Sequence, residues 1–90
     1  MAASVSNYSV ELKPSARKEL EALTDNALAR IVRKLESLAD NPRPVGCKKL
    51  KVYKDQWRVR VGGWRVLYII DDGLMLVSVT RIGHRREVYD

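Results

Sequence analysis

Trp57-Arg58-Val59-Arg60-Val61-Gly62-Gly63-Trp64-Arg65-Val66-Leu67-Tyr68 is the stretch whose pattern governs the rest of the chain. Its first five residues alternate apolar and basic, which is the period of a strand with one buried face. Gly62-Gly63 is a two-residue hairpin signal, and Trp64 to Ile70 continues as a more apolar strand. A two-residue turn fixes the register, so that Val61 opposes Trp64, Arg60 opposes Arg65 and Arg58 opposes Leu67. Arg58, Arg60 and Arg65 then share one face. Trp57, Val59, Val61, Trp64, Val66 and Tyr68 share the other, which is expected to pack against apolar groups.

Downstream, Asp71-Asp72-Gly73 supplies a second turn, and Leu74 to Ile82 is apolar and β-branched enough for a central or helix-covered strand. Upstream, Tyr8-Ser9-Val10-Glu11-Leu12 alternates as a half-buried strand. Pro14 suits a first helical position, and Ala16, Leu20 and Leu23 follow on one face. Thr24, Asp25 and Asn26 offer capping side chains for a second helix, in which Leu28, Ile31, Leu35 and Leu38 form a stripe that Asn41-Pro42 ends. The segment between Pro42 and Asp55 has no period and carries Lys48, Lys49, Lys51 and Lys54, so it reads as an irregular basic loop. The order is β-αα-βββ. It predicts a single α+β domain over residues 1–90, an antiparallel sheet packed against an αα-hairpin.

Ninety residues with 46% hydrophobic side chains, three prolines and five glycines describe a folded chain. No segment approaches the roughly 18 unbroken apolar residues of a membrane span, and no leader pattern opens the sequence, so a cytoplasmic protein without membrane contact is expected. Cys47 is the single cysteine, which excludes an intrachain disulfide and any multi-cysteine metal site. The net charge of +6 is segregated. Residues 1–42 balance six basic groups against six acidic ones, whereas residues 43–90 carry eleven basic groups against Asp55, Asp71, Asp72, Glu87 and Asp90. A polyanionic partner fits that surplus.

Two guanidinium groups directly across a ladder repel each other, and an anion between them removes the penalty. Arginine suits phosphate because its planar fork donates two parallel hydrogen bonds and stays charged. The same pattern also describes the solvated face of an edge hairpin, with charge that discourages aggregation. Beside the arginines, Lys48, Lys49, Lys51 and Lys54 would extend a phosphate track. Without them they serve solubility alone. Trp57 and Trp64 fall on the apolar face, where core packing is the expected role in preference to stacking on bases. His84 is the only histidine and has no ligand companions, so no metal site is expected.

The sequence closes Gly83-His84-Arg85-Arg86-Glu87-Val88-Tyr89-Asp90. Together with the β-αα-βββ order, the Lys49-Leu50-Lys51 loop and the Trp57 to Tyr68 hairpin, this tail resembles the RelE family of toxin–antitoxin systems. The resemblance implies a ribosome-dependent endoribonuclease that cuts messenger RNA in the decoding site without metal or other cofactor. It carries the family's basic pair onto Arg58 and Arg60, where the best known member has lysines. The arginine after the turn becomes Arg65, the late arginine Arg85 and the closing tyrosine Tyr89. The tail is shorter here than in that member, so Arg86 is the alternative to Arg85, with a contact to RNA as its other role.

In the implied chemistry the ribose 2′-hydroxyl attacks the adjacent phosphorus. Arg65 and Arg85 stabilise charge on the phosphate oxygens, Arg58 and Arg60 orient it, and Tyr89 or His84 takes the 2′ proton. Lys48, Lys49, Lys51 and Lys54 would hold RNA. The implied partners are the ribosome, messenger RNA and a cognate RelB-like antitoxin encoded beside the toxin. The rival is a ParE-like toxin, similar in architecture, which poisons DNA gyrase and cuts nothing. A binding module without activity is a further alternative.

Overall fold

In the structure, a computed structural model that describes residues 8–51 and 55–84, the chain runs through β1 (Ser9–Leu12), α1 (Pro14–Glu21), α2 (Asp25–Asp40), β2 (Lys48–Lys49), β3 (Gln56–Val61), β4 (Trp64–Asp71) and β5 (Leu76–His84). Among the described residues the strands form one five-stranded sheet in the order β1-β5-β4-β3-β2. The two helices cover one face. The expected α+β architecture and element order hold.

Pro14 opens α1 as its first helical residue. Thr24 takes the N-cap position of α2, but its hydroxyl makes no capping hydrogen bond. Asp25 in the first turn supplies the charge that complements the helix dipole. Ile31, Leu35 and Leu38 of α2 and Ala16 of α1 are buried against Val59, Val66, Tyr68, Val77, Val79 and Ile82 of the sheet. Burial of side chains of this size contributes about 1.5–3 kcal/mol each relative to exposure, and this layer is where that gain concentrates. Trp57 and Trp64 pack against the same core, as expected of their face.

Three features depart from the sequence expectations. The first strand joins the sheet parallel to β5, with Ser9 opposite Leu76 and Leu12 opposite Val79, so the sheet is mixed and only β2 to β5 are antiparallel. Alternation in Tyr8 to Leu12 reports a buried face and is silent on the direction of the partner. Within the basic loop, Lys48 and Lys49 pair with Arg58 and Trp57 as a short edge strand. Finally, the last strand begins at Leu76 because Leu74 and Met75 belong to the preceding turn, where Met75 has φ of 52° and Leu74 is 71% exposed.

Strand β5 also carries an irregularity. Leu67 pairs with Arg81 and Tyr68 with Val79, leaving Thr80 as an extra residue in the ladder. Its hydroxyl donates to the Leu67 carbonyl at 3.2 Å and accepts from the Gln56 side-chain amide at 3.3 Å. The bulge shifts the phase of the strand so that Val79 and Ile82 both face the helices.

Candidate nucleic-acid interface

The β3–β4 hairpin has the register that its two-residue turn dictates: Val61 opposes Trp64, Arg60 opposes Arg65 and Arg58 opposes Leu67. Gly62 makes the turn at φ +61°, a conformation that costs a side-chain-bearing residue about 1–2 kcal/mol. A Cβ there would also come within 2.7 Å of the Arg30 guanidinium from α2. The turn thus places three arginines on the face away from the helices. Gly83 of β5 opposes Arg65 on that face, and Lys48 of β2 opposes Arg58.

The three arginines differ in environment. Arg60 is exposed and Arg65 half-buried, whereas Arg58 is only 5% exposed. Because β2 flanks β3, Arg58 sits on an interior strand between Lys48 and Leu67 and not on an open hairpin edge. Burial first, and the charges of Arg60 and Arg65 second, hold its guanidinium below the ordinary arginine value. Arginine carries its charge at any biological pH, so the face presents a concentrated positive potential. Beside Arg58, Leu67 across the ladder and Leu50 form a small buried cluster.

The other predicted residues divide. Lys48 joins the arginine face, whereas Lys49 opposes Trp57 and falls on the helix side. Lys51 is exposed just past β2. His84 opposes Trp64, and its ring meets the indole edge-on at 5.6 Å between centroids. That register puts His84 on the helix-side face, opposite to the arginines. Gly63 makes room for it, since a Cβ there would lie 3.1 Å from His84 Nε2. Lys54, Arg85, Arg86 and Tyr89 lie outside the described residues. Among the described residues there is no group of three His, Cys, Asp or Glu side chains that could hold a metal ion, and no helix long and apolar enough to cross a membrane.

Sequence patterning missed how the end of β5 is held. The strand outruns β1 after Val79, and side chains of α1 take over its open edge: Ser15 Oγ donates to the Thr80 carbonyl at 3.0 Å, and Glu19 Oε1 accepts from the Ile82 N–H at 2.7 Å. Nothing in the local periodicity of α1 marks Glu19 for this role.

Residues 10–89 match the family model described as ParE toxin of type II toxin-antitoxin system, parDE. The chain belongs to this toxin family. Within the RelE/ParE superfamily, the toxin is 31% identical over 83 residues to Toxin RelG of Mycobacterium tuberculosis, covering 91% of this chain and 95% of the relative. It superposes on a chain of the RelBE2 toxin–antitoxin complex of Mycobacterium tuberculosis with a TM-score of 0.77 at 30% identity, covering 88% of this chain and 99% of that one. A chain of the intact Escherichia coli RelBE toxin–antitoxin complex aligns with a TM-score of 0.75 at 25% identity, covering 86% and 95%. These likenesses bear out the expected RelE-like fold.

Proposed function

We propose that this toxin is a ribosome-dependent messenger RNA endoribonuclease that acts in the cytoplasm without a metal ion and is restrained by a RelB-like antitoxin. The observation that carries the reading is the arginine face, with Arg60 directly opposite Arg65 and Arg58 beside them on one ladder. Such a face suits a phosphodiester, whose charge relieves the repulsion among the three cations. The antitoxin partner is supported by relatives whose structures are toxin–antitoxin complexes. An acidic or amphipathic antitoxin segment would complement the same cations.

The reaction needs no external nucleophile. The 2′-oxygen forms a bond to phosphorus as the bond from phosphorus to the 5′-oxygen breaks, leaving a 2′,3′-cyclic phosphate and a 5′-hydroxyl. Arg65 and Arg85 stabilise charge on the non-bridging oxygens, Arg58 and Arg60 orient the phosphate, and Tyr89 accepts the 2′ proton. In this reading, arginines drawn to the same phosphate would favour the tyrosinate and so help Tyr89 act as a base. His84 is the weaker candidate because its register sets it on the other face with Trp64. A proton reaches the leaving 5′-oxygen from solvent. Lys48 and Lys51 add contacts to RNA phosphates.

The ParE description of the family model supports a second reading, inhibition of DNA gyrase by binding alone. One experiment separates the two: a defined messenger RNA on programmed ribosomes in EDTA, with wild type, Arg65→Ala and Tyr89→Phe, and with free RNA as control. Cuts confined to ribosome-bound RNA that fade in both variants support the nuclease. Intact RNA combined with lost gyrase supercoiling in a parallel assay moves the function to gyrase.

A further inference from the structure

Glu19 sits on α1, away from the arginine face, yet both of its carboxylate oxygens are engaged by β5. Oε1 accepts from the Ile82 N–H at 2.7 Å and Oε2 from Arg81 Nε at 2.9 Å. These residues belong to the part of β5 that has no strand on its outer side, since the ladder with β1 ends at Val79. The same part follows the bulge at Thr80, after which β5 resumes its pairing with β4 from Arg81 to His84. A strand end paired on the β4 side but open on the other, and set off from the rest of β5 by a bulge, gains a further restraint on its outer edge from a carboxylate bound to a backbone N–H, a short, strong contact.

The position of that strand end matters to the site. Gly83 lies opposite Arg65 and His84 opposite Trp64, so any slip of Ile82 moves the backbone that borders Arg65. We infer that Glu19 is a positioning residue for RNA cleavage: its bond to the Ile82 N–H fixes the end of β5 against Arg65 and touches neither RNA nor the reacting atoms. The inference rests on the nuclease reading above.

The decisive bond is the one to the backbone, which distinguishes three substitutions. Glu19→Gln keeps an acceptor oxygen for Ile82 and loses the pairing with Arg81. Glu19→Ala removes the acceptor. Glu19→Met removes it while filling the same volume beside Leu23, Trp64 and Ile82, which line a small cavity with Glu19, so it reports on the bond if the alanine variant folds poorly. The measurements are kcat and KM for cleavage on programmed ribosomes, together with amide hydrogen exchange at Ile82.

Glu19→Ala and Glu19→Met are expected to lower kcat by about 10- to 100-fold, the cost of a misplacement on the order of 1 Å, with KM within twofold of wild type. Ile82 should exchange faster in both, and Glu19→Gln should recover both rate and protection. Wild-type kcat in Glu19→Met alongside accelerated Ile82 exchange overturns the positioning role. Unchanged Ile82 protection in that variant overturns the restraint itself. A wild-type protein that leaves RNA intact refutes the nuclease reading, and the positioning role falls with it, while exchange at Ile82 still decides whether the restraint exists.

Discussion

Arg60 and Arg65 stand directly opposite each other across the β3–β4 ladder, two cations in a position where sheets ordinarily place attractive pairs. With Arg58 buried beside them, the folded protein holds a repulsion that a bound anion relieves. Inorganic phosphate is therefore expected to raise Tm, by the equivalent of about 1.4 kcal/mol at tenfold excess over its Kd. Arg65→Ala should gain less than wild type on adding phosphate. Equal gains in the two proteins, followed by scanning fluorimetry, would remove the anion site from the arginine face.

Tyr68 is fully buried beneath α2, and its hydroxyl donates to the Pro42 carbonyl at 2.8 Å. Burial, with Cys47 beside it, pushes the phenol well above its ordinary value, so it remains a donor throughout the accessible pH range. Tyr68→Phe leaves the packing intact and strands the carbonyl. It should cost about 1–2 kcal/mol in urea unfolding at unchanged m-value. A variant as stable as wild type would mean that water replaces the hydroxyl.

Asp72 accepts from Arg43 at 2.8 and 3.2 Å and from the Tyr8 hydroxyl at 2.6 Å, joining the β4–β5 turn to the chain after α2. The Arg43 hydrogen bonds first, and that of Tyr8 second, hold its carboxyl below the ordinary aspartate value of 3.8. A depressed carboxylate contributes stability that is present above its unfolded value and lost as pH falls through the folded one. Tm should thus decline as pH drops below 3.8, and Asp72→Asn should flatten that decline while lowering Tm at neutrality. A melting series from pH 2 to pH 7 tests both parts.

Gly62 combines a positive φ with the close approach of Arg30. Gly62→Ala should cost about 1–2 kcal/mol from backbone strain, and more if the Arg30 side chain cannot move aside. Gly62→Asn, which tolerates the left-handed region better, tests the strain component by comparison. Because this turn sets Arg60 against Arg65, either substitution should reduce phosphate binding beyond its effect on stability. Calorimetric titration of the folded variants with phosphate separates the two effects.

The hairpin was legible in the sequence because a two-residue glycine turn and strict alternation leave one register, and the placement of Arg58, Arg60 and Arg65 followed from it. The helices were legible because Pro14 marks a start and the Ile31, Leu35, Leu38 stripe marks a buried face. What escaped depends on partners distant in sequence. The parallel pairing of β1, the short strand at Lys48–Lys49 and the burial of Arg58 are properties of neighbours, to which local period is blind. The start of β5 was misplaced because Leu74 and Met75 have strand-like side chains on turn backbone. His84 looked like a base by its chemistry alone, and only the pairing with Trp64 shows which face it takes.

The sheet order has a consequence for synthesis. Strand β5 is the latest made of the described strands, yet it lies inside the sheet between β4 and the first-made strand, β1. Contacts such as Ser78 to Glu11 span 67 residues. A chain growing on the ribosome can form α1, α2 and the β3–β4 hairpin by local contacts, but it cannot seat β1 until β5 has emerged from the exit tunnel. Before then the arginines have only part of their supporting sheet, and Gly83 is not yet beside Arg65. The arginine face is therefore completed only once β5, the latest made of the described strands, has taken its place in the sheet.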